Sequence, residues 1–188
     1  MATGILLAAG SGTRFGGGKL LATLPGGMAV GIASYRNLRA ALDRVCVVVR
    51  SEDGALIDLF EREGASMCLC TDAALGMSRS LITGIRANPD ADGWIIALGD
   101  MPFVRSETVL RVARALRDGA AIAVPTWHGQ RGHPAGFAAG LREELLAVTG
   151  DEGARSILRR HAAEIRLIEC DDPGVMRDID TPADLAAG

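Results

Sequence analysis

The sequence predicts an α/β fold built on a mostly parallel sheet with helices on both faces. Short apolar runs recur at 3–8, 44–49, 65–70, 93–98, 120–125, 134–138 and 164–169. Stretches with helical spacing separate most of them, which is the alternation of an α/β chain. The runs are short and continuous, as strands covered on both faces are.

Each element has a local reason. Thr3 to Ala8 is a buried strand that leads directly into glycine. A helix near 30–42 precedes a strand at 44–49, where Cys46 stands among valines. Helical patterns near 53–63 and 77–88 flank the run 65–70, in which Cys68-Leu69-Cys70 alternates as a strand does. In 106–118, Ser106 can cap the start, and Val109, Val112, Ala113 and Leu116 fall on one face. Two more helices are expected near 140–148 and 152–162, before the last strand. No internal repeat, low-complexity tract or linker interrupts the pattern.

The 188 residues fit a single domain, large enough to bury roughly 70% of its unfolded surface. A 48% hydrophobic but only 4% aromatic composition implies a core of Ala, Val and Leu. Net charge is −3, and no basic run is long enough to track a nucleic-acid backbone. A nucleotide therefore fits better than a polynucleotide. The apolar start lacks a basic leader, and its apolar run extends only from Ile5 to Ala9, unlike a secretory signal. No segment has the apolar length of a membrane span, so the expected location is the cytoplasm. Cys46, Cys68, Cys70 and Cys170 make no metal pattern and read as reduced thiols. His128, His133 and His161 are too scattered to suggest zinc.

Chemistry concentrates in residues 6–19, where five glycines surround one Arg and one Lys after the first strand. Glycine lets backbone N–H groups approach and cradle phosphate oxygens, and Arg14 with Lys19 supplies the charge a polyphosphate needs. A P-loop is excluded because Thr13 stands where its first Gly belongs and Leu20 where its Ser or Thr belongs. The dinucleotide fingerprint fails too: Phe15 takes its third glycine position, and the second strand ends at Arg50 without an acidic ribose ligand. A nucleoside triphosphate site remains, with a plain glycine-rich turn as the alternative.

Two more segments point to the same chemistry. Asp100 follows a buried strand, after Gly99 and before Pro102, and would emerge at the edge of the sheet that carries the loop. There it can hold Mg²⁺ against phosphate oxygens, or merely cap the next turn. In Asp178-Ile-Asp-Thr-Pro-Ala-Asp-Leu185, Thr181, Pro182 and Asp184 form a helix start. Capping leaves Asp180 unexplained, so it is a candidate second metal ligand.

Taken in order, five blocks resemble the MobA/MocA-like nucleotidyltransferases, closest to the molybdenum cofactor cytidylyltransferases. They are Leu7-Ala-Ala-Gly-Ser-Gly-Thr-Arg14 with Lys19, Gly76-Met-Ser-Arg-Ser-Leu81, Gly99-Asp-Met-Pro102, Arg131-Gly-His-Pro134 with Gly150-Asp-Glu-Gly-Ala-Arg155, and 178–185. The resemblance implies a Rossmann-like three-layer nucleotidyltransferase fold over the single domain 1–188. It implies transfer of CMP from CTP to the terminal phosphate of molybdopterin, with release of pyrophosphate. Arg14, Lys19 and Asp100 would be catalytic, with Mg²⁺ on Asp100 and Asp180. The nucleotide would meet Leu7, Ala8, Ala9, Gly10, Ser11, Gly12, Thr13, Arg14, Lys19, Gly76, Met77, Ser78 and Gly99. The acceptor would meet Gly132, His133, Asp151 and Arg155. Gly132-His-Pro134 could equally turn the chain, and Asp151 with Glu152 could start a helix.

Within that family, Leu-Ala-Ala-Gly is similar to the cytidine-type pattern and Leu-Ala-Gly-Gly to the guanylyl type, so Ala9 favours CTP over GTP. Phe15, Gly18 and the segment 26–31 depart from the family pattern and leave the acceptor open. The alternatives are a sister transferase using GTP or another phosphorylated acceptor, and a non-catalytic nucleotide- or cofactor-binding chaperone. A molybdenum hydroxylase is the client the resemblance implies.

Overall fold

A computed structural model describes residues 2–10 and 12–186. The strands are β1 (Thr3–Leu7), β2 (Val45–Arg50), β3 (Ser66–Cys70), β4 (Gly93–Leu98), β5 (Ile122–Trp127), β6 (Gln130–Arg131), β7 (Ala135–Ala138) and β8 (Ile165–Glu169). The helices are α1 (Val30–Ala41), α2 (Gly54–Arg62), α3 (Met77–Ala87), α4 (Ser106–Arg117), α5 (Arg142–Leu146), α6 (Arg155–Arg160) and α7 (Pro182–Ala186).

The sheet runs β3-β2-β1-β4-β7-β5-β6, with β8 also paired to β5. Pairings β1–β2, β1–β4, β2–β3 and β5–β8 are parallel, whereas β7 joins β4 and β5 antiparallel. The sheet is therefore mixed, though mostly parallel. Alternation along the strands sends Leu6 and Val47 to one face and Ile5 and Val48 to the other. The first face packs with Val30, Leu38, Phe60 and Val112 of α1, α2 and α4. The second packs with Leu81, Leu145 and Ile157 of α3, α5 and α6. Burying each such side chain is worth about 1.5–3 kcal/mol.

Three local features differ from the sequence reading. Ser106 is the first residue of α4 rather than its cap. The buried Asp172 serves that end instead: its carboxylate accepts from Arg105 N at 2.9 Å and from Thr108 Oγ1 at 2.6 Å. Helices α5 and α6 are shorter than their patterns, because Gly150 and Gly153 adopt positive φ between them. The short β6 pairs with the end of β5 and closes a hairpin that the apolar runs did not announce.

The topology fixes where a ligand belongs. The chain winds outward from β1 through β2 to β3, then returns to the other side of β1 as β4. The carboxyl ends of β1 and β4 flank that reversal, where open α/β sheets form a binding crevice.

Candidate active site

The Gly-rich loop leaves the end of β1 at that crevice. Gly12, Gly16, Gly17 and Gly18 all have positive φ, a backbone that side-chain-bearing residues adopt at a cost. The loop thereby carries Lys19 back over the end of β4. Lys19 Nζ lies 2.6 Å from Asp100 Oδ2 and 3.4 Å from Asp180 Oδ1. Arg14, from the exposed part of the loop, contacts Asp180 Oδ2 at 2.5 Å. Burial alone would lower the Lys19 pKa, but hydrogen bonds and charge from Asp100 and then Asp180 outweigh it, and the pKa is raised.

Three carboxylates meet here rather than two. Asp100, Asp178 and Asp180 bring one oxygen each within 4.8 Å of one another. Ile179 is buried between the last two, and its N–H donates to Asp100 O, which fixes the segment beside β4. The sequence reading missed Asp178 as a member of this cluster, although the Asp-Ile-Asp alternation around a buried residue signals it. Asp184 accepts from Asp180 N, Thr181 N and Thr181 Oγ1, so the capping expected for 181–184 holds and leaves the Asp180 carboxylate to Arg14 and Lys19.

On the α3 side of the sheet a cavity of about 520 Å³ opens between Leu7, Ala9, Gly10, Gly76, Met77, Asp100 and Asp151, with Arg50 and Ser80 also on its wall. Gly76 has φ of 117°, and a Cβ there would sit 2.6 Å from Asp151 Oδ1, so only glycine lets this wall close. Ala8, Gly12 and Lys19 face a smaller recess of about 80 Å³ on the opposite face. Gly99 is buried, and its carbonyl accepts a hydrogen bond from Ser34 Oγ at 2.8 Å.

Ser78 does not face the cavity. It is 1% exposed and its Oγ has no partner among the described residues, while Met77 and Ser80 line the wall. Thr13 begins a one-turn 3-10 segment. Ser11 and the Thr13 side chain lie outside the described parts.

Of the expected acceptor residues, Asp151 reaches the large cavity. Gly132 packs against backbone: a Cβ there would lie 2.4 Å from Val175 O. His133 is half-buried, with Nδ1 sealed from solvent and without a partner among the described residues. Burial pushes its pKa down, opposed by Asp100 and reinforced by Arg155. Arg155 is exposed at the first turn of α6. A further cavity of about 390 Å³ lies beside Ala2, Leu42 and Arg117 at the other end of the strands, away from the loop and the carboxylates.

Loop, cations and carboxylates gathered at a topological switch point define a class, the α/β proteins that take phosphate-bearing ligands at their strand ends. The chain belongs to the MobA-like NTP transferase domain family, whose model matches residues 4–165. It is 32% identical over 187 residues to nicotine blue oxidoreductase of Paenarthrobacter nicotinovorans, covering 95% of this chain and 92% of that protein. Its structure matches the Mycobacterium sp. strain JC1 homologue of a Mycobacterium tuberculosis protein, with a TM-score of 0.84 and 30% identity over 97% and 92% of the two chains. The Mycobacterium tuberculosis H37Rv protein, solved in complex with manganese, matches with a TM-score of 0.77 and 25% identity over 97% and 95%. Among the described residues no helix is long and apolar enough to cross a membrane.

Proposed function

We propose that this chain transfers CMP from CTP to the terminal phosphate of molybdenum cofactor, releasing pyrophosphate, in the cytoplasm and for a molybdenum hydroxylase client. The carrying observation is the Lys19–Asp100–Asp180 contact at the rim of the large cavity. It puts a cation and metal-type ligands where a triphosphate lying on the loop would meet a second substrate. Ala9 on the cavity wall supports CTP through the Leu-Ala-Ala-Gly pattern.

Three carboxylates suit a hard divalent cation, and a relative has been solved with manganese. Asp100 and Asp180, with Asp178, would hold Mg²⁺. Bound there, it supplies positive charge to phosphate oxygens. The chain's own groups do the rest. The acceptor phosphate is ionised near neutral pH, so no general base is required. Lys19 offsets charge growing at the α-phosphate, while Arg14 and the loop N–H groups hold the departing pyrophosphate. Gly76 and Met77 border the base and ribose, and Asp151, across from Gly76, opens the acceptor side toward Gly132, His133 and Arg155.

The test begins with thermal stabilisation by CTP, GTP, ATP and UTP, each with Mg²⁺, followed by pyrophosphate release with molybdenum cofactor. A CTP-selective shift with cofactor-dependent release supports the reading, and a GTP-selective one moves it to the guanylyl sister reaction. Binding without turnover makes the chain a chaperone. Reduction of nicotine blue, the compound in the relative's name, without nucleotide-dependent release would overturn transfer chemistry altogether.

A further inference from the structure

Arg50 ends β2 beside the glycine loop, where the sequence places a cation instead of the acidic ribose ligand of dinucleotide folds. Its Nε donates to Ala9 O at 2.8 Å, fixing the guanidinium to the backbone that enters the loop. The side chain borders both the small recess beside Gly10, Gly12 and Lys19 and the large cavity beside Ala9 and Asp100. Among the described residues Arg50 makes no ion pair, whereas Arg14 and Lys19 are both bound to carboxylates. Asp53, the carboxylate in the same recess, is engaged in capping α2 through Leu56 N at 3.2 Å. A half-buried guanidinium with one donor used and its outer N–H groups uncommitted suits a phosphate, whose oxygens its planar fork matches.

We propose that Arg50 is a third cation for the polyphosphate of the bound nucleotide, anchored through Nε and binding phosphate through its outer nitrogens. The proposal rests on the triphosphate reading of the loop but not on the choice of base or acceptor. Arg14 and Lys19 must be shared with Asp100 and Asp180. Arg50 is not, and it adds an uncommitted positive charge where the small recess and the large cavity adjoin.

Arg50→Gln tests this cleanly. Gln Nε2 stands the same number of bonds from the backbone as Arg Nε, so the bond to Ala9 O can persist while the charge and outer donors are lost. Calorimetric titration with Mg²⁺ compares CTP, CMP and inorganic pyrophosphate on wild type, R50Q and R50K. R50Q is expected to bind CTP and pyrophosphate about 10–100-fold more weakly while CMP stays within about threefold. R50K, which keeps the charge, should retain more of the pyrophosphate affinity than R50Q. Unchanged affinities in R50Q, or an equal loss for all three ligands, overturn the phosphate role. If wild type binds pyrophosphate through Arg50 but does not prefer CTP, the cytidylyl reading fails and this inference stands. If wild type binds no nucleotide or pyrophosphate, both fail.

Discussion

Replacing Lys19 by Met separates its two duties, neutralising the carboxylates and assisting transfer. Lys19 Nζ lies 2.6 Å from Asp100 and 3.4 Å from Asp180, and the Lys19 side chain is only 13% exposed. At an effective dielectric of about 20 the two attractions come to about 6 and 5 kcal/mol. Desolvation of the ammonium offsets most of that. The carboxylates remain partly solvated at 21% and 33% exposure, so a net loss of about 1–3 kcal/mol is expected for K19M. For a chain of this size that lowers the melting temperature by about 3–10 °C. Because the Lys19 pKa is raised, this stability is fully present below its unfolded value of 10.5 and fades as pH rises through the folded value. K19M lacks that alkaline fall.

A divalent cation can replace the missing charge, so Mg²⁺ or Mn²⁺ should raise the melting temperature of K19M more than that of wild type. Pyrophosphate release should nonetheless fall about 10²–10³-fold, the cost of losing one donor to developing negative charge. Scanning fluorimetry with and without metal, paired with a release assay, reads both duties. Wild-type melting and metal response in K19M would refute the neutralising role. Near-normal turnover would refute the catalytic one.

Other side chains give equally direct tests. Asp178→Asn removes one of the three clustered carboxylates without touching the Lys19 pair, so divalent affinity should drop about tenfold or more. Equal metal-induced stabilisation in D178N and wild type would remove Asp178 from the ligand set. Asp172→Ala strips the acceptor from Arg105 N, Thr108 Oγ1 and Gly174 N in a buried position. It should cost about 2–4 kcal/mol in urea unfolding, and a loss below about 0.5 kcal/mol would contradict the capping role. Hydrogen bonds that His161 donates to Glu164 and then to Glu144 raise its pKa. Its stabilisation is fully present below the unfolded value of 6.5 and lost as pH rises through the raised folded value. The melting difference between wild type and His161→Gln should therefore shrink with rising pH, and a pH-independent difference would refute the charged pairing.

What the sequence made legible follows the range of the forces involved. The loop announces itself because glycine content and buried strand are adjacent, and Asp100 because it ends an apolar run. Asp172 was invisible as the support of α4 because its partner lies 67 residues away. Ser106, the first residue of that helix, offered a local cap that tertiary packing made unnecessary. Other features had a signal in the chain. Ser78, Leu81, Ile82 and Ile85 fall at i, i+3, i+4 and i+7, the spacing of one helix face. That face is buried against the sheet, so the Ser78 hydroxyl is turned away from the cavity while Met77 and Ser80 reach it. Helical phase separates the Ser78 side chain, on the buried face, from Met77 and Ser80 on the cavity wall. Arg50 shows the complementary gap. Its position at a strand end was legible, but its meaning depended on knowing that Arg14 and Lys19 are already bound to carboxylates across the crevice. Charge alone nominates a phosphate ligand. Only its pairing in the folded chain says which cation is left to bind one.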